Sequence, residues 1–332
     1  MAERVLVTGA AGFIGSHTVD ALLARGDEVM GLDNFDAFYE PAIKRANLRG
    51  ASAHPSFRLV EGDIRDEQAM RRLLGETRPG VLVHLAARAG VRPSIEQPAL
   101  YADVNVVGTT VLLEAARAHG VNRVVVASSS SVYGNAARTP FSEDDPCVHP
   151  VSPYAATKRA AELVCDTYAT LYPQLRIISL RFFTVYGPRQ RPDLAIHKFT
   201  RLMAAGKPIP FFGDGSYSRD YTYVTDTLQG VLGAIDRTRD VPLRHEIYNL
   251  GESATTTLTH LVEMIQQAVG QRAELNRLPA QPGDVEHTFA DIARARERLG
   301  YAPAVPIEEG IPMFVEWFRR SNATVEAGRR SG

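Results

Sequence analysis

The stretch Arg4-Val-Leu-Val-Thr8-Gly9-Ala-Ala-Gly12-Phe13-Ile14-Gly15 leaves the chain few ways to fold. Its apolar and β-branched opening reads as a short buried strand, the glycines as a tight turn, and the amphipathic run to Arg25 as a helix. Gly9 permits the turn, Gly12 lets the backbone approach a pyrophosphate, and Gly15 lets the helix lie close on a sheet. The helix start, with Phe13 and Ile14, then faces phosphate groups. A strand followed by a crossover helix commits the next strand to parallel pairing.

That next strand, Glu28-Val-Met-Gly-Leu-Asp33, ends in an acid 18 residues beyond Gly15, close to the ~20 expected of a carboxylate that accepts from ribose hydroxyls. Asp33 would repel a 2'-phosphate, which favours NAD over NADP as cofactor, and Asn34 stands beside it to help hold the adenosine. The alternation continues with a strand over Phe57 to Glu61, a helix over Asp66 to Glu76 and the strand Val81-Leu-Val-His-Leu85. This predicts an α/β fold, a Rossmann-type doubly wound parallel sheet. Asp63, Ile64, Leu85, Ala86 and Ala87 lie at or just past strand ends, where a cofactor rests in such sheets. His84 sits inside an apolar strand and reads as a core histidine. The helix over Tyr101 to Ala118 carries Asn105, a further cofactor candidate, and the fifth strand, Arg123 to Ser128, runs into the hydroxyl cluster Ser128 to Ser131.

Ser152-Pro-Tyr-Ala-Ala-Thr-Lys158 reads as the opening of a helix, with Ser152 as cap and Pro153 in the first turn. Tyr154 and Lys158 are four residues apart, so phenol and ammonium leave the same helix face. Lowering a phenol by roughly 3 units takes about 4 kcal/mol of differential stabilisation. Lys158 and the positive ring of an oxidised nicotinamide are expected to supply it together.

With GAAGFIG, LDN, GDI, HLAA, SSSSVYG and PYAATK in order, the chain resembles the extended short-chain dehydrogenase/reductase family over nearly its full length. The resemblance implies that Tyr154 is the catalytic base, Lys158 its support, and Ser129, four positions before the tyrosine of Val132-Tyr-Gly134, the assisting hydroxyl. Nucleotide-sugar 4,6-dehydratases of the family carry an Asp-Glu pair just after that hydroxyl. Ser130 and Ser131 stand there instead, and neither transfers a proton near pH 7, which argues against a dehydratase.

Arg181-Phe-Phe-Thr184-Val-Tyr-Gly-Pro188 with Arg191-Pro-Asp193 is similar to the branch that epimerises UDP-glucuronate at carbon 4; neutral-sugar epimerases commonly place Asn where Thr184 stands. On this resemblance Ser130, Ser131, Thr184 and Arg191 would hold the sugar carboxylate through charge-assisted bonds. Arg219 would clamp the diphosphate. Asp284, in Gln281-Pro-Gly-Asp284, would join the nucleotide loop, where many relatives carry Arg at the position of Gln281, and Arg92 would be a third cation near diphosphate or sugar.

The implied partner is a UDP-sugar, the implied course a transient 4-keto sugar with NAD retained, and the implied assembly a homodimer through the helices over Tyr101 to Ala118 and Pro153 to Leu171. Two rivals share the fold. UDP-glucuronate decarboxylases usually keep a glutamate where Ser131 stands, and epimerases of UDP-glucose or its N-acetyl relative act on neutral sugars. A non-catalytic NAD-binding regulator is a third reading, and the presence of both Tyr154 and Lys158 speaks against it.

Composition narrows the setting. With 37 Lys+Arg against 38 Asp+Glu the formal net charge of -1 gives no footprint for nucleic acid or an anionic membrane. No uninterrupted apolar run reaches the ~18 residues of a spanning helix. Cys147 and Cys165 have no metal or CxxC spacing, so no metal is expected, and the opening Met-Ala-Glu-Arg-Val-Leu-Val reads as a strand, which points to a cytoplasmic protein. The 332 residues suffice for two units. The NAD-binding domain is expected over 1–185 with returns at about 222–250, a smaller mixed α/β sugar-nucleotide domain over 186–221 and 251–320, and a polar tail over 321–332.

Overall fold

The computed structural model describes residues 2–136, 138–279 and 285–330. In chain order the strands of the first half are β1 (Arg4–Thr8), β2 (Glu28–Asp33), β3 (Phe57–Glu61), β4 (Val81–His84), β5 (Arg123–Ser129) and β6 (Arg176–Phe182). Short strands follow: β7 (Thr184–Tyr186), β8 (Ile209–Phe212), β9 (Ser218–Arg219) and β10 (Tyr221–Tyr223). The last three are β11 (His245–Leu250), β12 (Thr256–Thr257) and β13 (Leu275–Leu278).

The helices of the nucleotide half are α1 (Phe13–Ala24), α2 (Pro41–Asn47), α3 (Arg49–Ser52), α4 (Glu67–Thr77), α5 (Val91–Glu96), α6 (Pro98–Ala102), α7 (Gly108–Ala118) and α8 (Pro153–Leu171). A π-turn over Asp103–Val107 joins α6 to α7 in one rod. The remaining helices are α9 (Ala195–Ala204), α10 (Val224–Arg237), α11 (Leu258–Val269), α12 (Ala293–Leu299) and α13 (Ile307–Arg330).

Seven strands in the order β11-β6-β5-β4-β1-β2-β3 make one sheet, parallel at every pairing. The direction of growth reverses between β1 and β4, the switch point at which such sheets open a crevice. Because the sheet is covered on both faces, β1 and β4 are buried along nearly their whole length, which is why they read as continuous apolar runs. Alternate residues still part company. Val5, Val7, Val83 and Val125 share a core with Leu22 of α1 and Val231 of α10. Leu6, Leu82, Val124 and Val126 share the other with Leu74 of α4, Leu113 of α7 and Cys165 of α8.

A smaller core gathers Tyr186, Phe199, Phe211, Tyr223, Leu261, Ile265 and Phe314 from β7 to β10, α9, α11 and α13. Its strands pair only in twos: β7 with β10, β8 with β13, and β9 with β12. The chain does not remain there from residue 251 to 320, as the sequence suggested. Ala290, Ile292, Ala295 and Tyr301 join the core of Val5 and Val7, and the Tyr301 hydroxyl donates to the Gly251 carbonyl at 2.8 Å. Helix α12 of this segment packs against β11 at the sheet edge. The polar tail expected from residue 321 is also different, since α13 continues to Arg330.

Among the described residues one helix, Pro98–Ala118, is long and apolar enough to cross a membrane by length and composition. Asp103, Glu114 and Arg117 interrupt its apolar sequence, so the run counted along the chain fell short of that length. Its apolar residues cover α4 and α8; Leu112, Leu113, Ala115 and Ala116 are buried there.

Candidate active site

The carboxyl ends of the parallel strands open on a cavity of about 650 Å³. Gly9, Gly12, Phe13, Ile14 and Gly15 form one end of its wall. Gly9 has φ +69°, and a Cβ there would stand 2.7 Å from the Ala86 amide nitrogen. A Cβ on Gly15 would be 2.0 Å from the Gly9 carbonyl oxygen, so the turn and the helix start touch through backbone alone. No side chain caps the first turn of α1 and no acid lies in it, which leaves its amides and the positive end of its dipole directed at the cavity. A diphosphate fits this cradle on its shape and its charge.

Asp33 is buried at the end of β2. Its carboxylate accepts from the Ala11 amide at 3.0 Å and the Phe35 amide at 2.8 Å, with Lys44 Nζ 4.0 Å away. A carboxylate has about four lone-pair sites, so two amides leave capacity for a ribose diol. Asn34 donates to Asp63 at 3.1 Å, and Asp63 is held by Arg65 at 2.7 Å, a hydrogen bond that lowers its carboxyl to about 2. Ile64, Leu85, Ala86 and Ala87 complete this half of the wall.

Asn105 is a correction. It does not line the cavity; its amide accepts from the Arg88 N–H at 2.8 Å and donates to the Arg88 carbonyl and the Thr157 hydroxyl, both at 3.0 Å. It ties the turn after β4 to α8, a splint behind the wall. His84 is the core residue expected: it lies between the Thr8 and Thr109 hydroxyls at 2.7 and 3.0 Å, and burial pushes its imidazole down to about 3.

The other half of the cavity is built on α8. The Ser152 hydroxyl accepts from the Ala155 amide at 3.1 Å and Pro153 opens the helix, the cap read from the sequence. This brings Tyr154 and Lys158 to the wall beside Ser129, Ser130 and Ser131 at the end of β5. Burial raises the Tyr154 phenol above its ordinary value, while the Ser129 hydroxyl and the charge of Arg191 draw it back. The Lys158 ammonium donates to the Ala127 carbonyl at 2.8 Å, and burial lowers it to about 8. In this structure the lysine is turned to the strand end, and Ser129 and Arg191 are the groups that draw the phenol down.

Thr184 of β7, Arg92 and Arg191 also line the cavity. Arg92 lies over the Phe212 ring at 4.5 Å, and Arg191 pairs with Asp193 at 2.9 Å. Arg219 does not reach the wall; its guanidinium donates to the Ser218 and Glu286 carbonyls at 2.9 and 3.1 Å, held by the strand segment that carries it. Asp284 and Gln281 lie outside the described residues.

Sequence reasoning missed Asp36, Phe38, Tyr39, Lys44 and Arg88, all in the wall. Arg88 forms an ion pair with Asp36 and lies 4.9 Å from the Phe38 ring, while Arg191 lies 5.2 Å from the same ring. The available signals were an aromatic-rich segment, Phe35 to Tyr39, directly after the ribose acid, and a cation just past Ala86-Ala87. No group of metal ligands occurs among the described residues.

A glycine-cradled crevice beside a Ser-Tyr-Lys cluster defines a dinucleotide-dependent short-chain dehydrogenase/reductase site. The profile of the family described as GDP-mannose 4,6 dehydratase matches residues 6–314, and the chain belongs to that family. It is 42% identical over 328 residues to UDP-glucuronate 4-epimerase 5 of Arabidopsis thaliana, a match spanning 95% of this chain and 75% of that one. Among solved structures, UDP-glucuronic acid 4-epimerase from Bacillus cereus, in complex with UDP-glucuronic acid and NAD, superposes with a TM-score of 0.87 at 34% identity, covering 96% of this chain and 99% of that one. UDP-glucose 4-epimerase from Thermotoga maritima with UDP-glucose gives 0.86 at 34% identity, with the same 96% and 99% coverage.

Proposed function

We propose that this protein interconverts UDP-glucuronate and UDP-galacturonate by inverting carbon 4, with NAD held in the glycine-cradled half of the cavity. NAD, when bound, supplies the hydride acceptor and donor. Gly9, Gly12 and Gly15 would admit its diphosphate, Asp33 its adenosine ribose, and Tyr154 and Lys158 its nicotinamide end.

Tyr154 takes the proton of the carbon-4 hydroxyl, with Ser129 beside it in the wall, and a 4-keto sugar results. The sugar turns over and Tyr154 returns the proton on the opposite configuration, so there is no net redox change. Lys158, anchored on the Ala127 carbonyl, lines the same wall, where it would meet the nicotinamide end. Ser130 and Ser131 offer hydroxyls rather than an acid, so water is not eliminated despite the dehydratase name of the family.

The observation that carries the reading is Arg191. It shares the cavity with Tyr154, its charge bears on that phenol, and no neutral hexose requires a guanidinium there. Holding the carboxylate also protects the β-keto acid intermediate from losing carbon dioxide. The names of the Arabidopsis and Bacillus relatives support the uronate over the neutral sugar.

Incubating the purified protein with UDP-glucuronate, separating the sugars and assaying carbon dioxide tests the reading. UDP-galacturonate without carbon dioxide is expected. UDP-xylose with carbon dioxide would mean a decarboxylase, and turnover of UDP-glucose alone a neutral-sugar epimerase.

The same proposal includes a homodimer and a cytoplasmic setting. Val107, Leu163 and Leu171 are 49%, 51% and 63% exposed on the rod ending in α7 and on α8, apolar residues that a second copy would cover. Both cysteines are buried and free, in keeping with a reducing compartment. Sedimentation equilibrium of the purified protein, with a twofold mass expected, checks the assembly.

A further inference from the structure

The segment after the ribose acid does more than follow the cofactor. From Asp33 the chain turns through Asn34 and Phe35 to Asp36, whose carboxylate pairs with Arg88, and then presents Phe38 to two guanidinium groups. Arg88 lies 4.9 Å and Arg191 5.2 Å from the Phe38 ring centroid, both within the ~6 Å over which a ring face attracts a cation. Asp36, Phe38 and Arg88 belong to the nucleotide half of the molecule. Arg191 follows β7, where the chain has left for the smaller core. Tyr39 completes the seat: its hydroxyl is buried without a partner, and Arg191 is the charged group that bears on it most.

Arg191 is thus held from two sides. Asp193 binds Nε and an Nη of its guanidinium at 3.1 and 2.9 Å, and Phe38 lies against its carbon centre. Asp193 alone would let the pair swing together on their loop. The ring limits that swing, and it comes from a different segment of the chain.

We propose that Phe38 is a positioning residue for substrate choice, its ring seating Arg191 so that the guanidinium meets a sugar carboxylate. This rests on the uronate reading of the site. It moves part of the selectivity for an acidic sugar out of the smaller core and into the loop that follows the ribose acid. The consequence is physical coupling of the two ligand sites, since the loop that begins at the cofactor carboxylate ends at the substrate cation.

The test compares Phe38→Leu, which keeps apolar bulk and loses the ring face, with Phe38→Tyr, which keeps the face. A cation–π contact of this kind contributes about 0.5–2 kcal/mol, so Phe38→Leu is expected to raise KM for UDP-glucuronate about 2- to 30-fold with kcat within about twofold. Phe38→Tyr is expected to stay near wild type. Retained NAD and affinity for UDP alone should be unchanged in both.

An unchanged KM in Phe38→Leu overturns the proposal. An equal loss in Phe38→Tyr overturns it too, because shape and not the ring face would then matter, and so does a parallel loss of UDP affinity or NAD, which would mean a collapsed loop. Wild-type protein that leaves UDP-glucuronate unaltered overturns the functional reading itself, a result seen before any variant is made.

Discussion

The two ends of the cavity are built on opposite plans. The dinucleotide end comes from the contiguous strand, turn and helix of Arg4 to Ala24, with Asp33 one strand further on, and its recognition groups are backbone amides exposed by glycine. The sugar end draws Phe38, Arg88, Ser129, Tyr154, Thr184 and Arg191 from separate segments, and recognises through side chains that brace one another. A backbone cradle has nothing to reposition and serves one ligand well. A side-chain cradle can change its substrate by changing one brace, which suits a family whose members keep the cofactor and vary the sugar.

The largest effect expected is at the backbone end. Gly15→Val places a side chain 2.0 Å or less from the Gly9 carbonyl, so the turn must open. The purified variant is expected to carry no NAD and to unfold at lower temperature, and a variant that keeps its NAD would break the contrast between the two ends. Next is Tyr154→Phe, expected to lower kcat by about 10²- to 10⁴-fold while leaving NAD in place. Measuring turnover and bound dinucleotide on the same sample separates chemistry from cradle.

Arg191→Gln should be felt by one class of ligand only. Losing a charge-assisted bond of about 1.5–3 kcal/mol raises KM for UDP-glucuronate roughly 10- to 100-fold and leaves UDP binding alone. Equal losses for UDP and UDP-glucuronate in calorimetry would place Arg191 on the diphosphate and erase the distinction drawn here.

The smallest effect is one of stability. Burial lowers Lys158 from 10.5 to about 8, so the folded protein carries this charge at neutral pH at a cost that the unfolded chain escapes. Between about pH 8 and 10.5 the unfolded state holds more of the proton, and the contribution of Lys158 to stability rises with pH across that window. Lys158→Met is therefore expected to be inactive yet more stable at pH 7, by on the order of 3 kcal/mol, with the gap closing towards pH 10.5 in denaturant titrations. A less stable Lys158→Met would show that the bond to the Ala127 carbonyl outweighs the buried charge.

How much of this was legible in the sequence follows the same division. The parallel sheet, the glycine turn, the Ser152 cap and the placing of Ser129, Tyr154 and Lys158 could be read along the chain. Each depends on residues a few positions apart: a glycine that must adopt positive φ, a hydroxyl three residues before an amide, two side chains one turn apart.

Where the reading failed, the deciding partner was distant in sequence. The pattern puts Asn105 among the cofactor residues, whereas the Arg88 backbone 17 residues away claims its amide. The guanidinium of Arg219 is held by the Glu286 carbonyl 67 residues away, a contact that no local pattern shows. Phe38 and Arg88 passed unnoticed because an aromatic residue or an arginine in a loop means little until the fold shows what faces it.

Local backbone geometry is set by neighbours along the chain, so the sequence by itself determined the sheet, the cradle and the placing of Tyr154 and Lys158 on one helix. The aim of a long side chain is set by whatever packs against it. Only the tertiary structure, by bringing the loop after β2 against the segment after β7, decided where Arg191 rests and hence which sugar the site is shaped to hold.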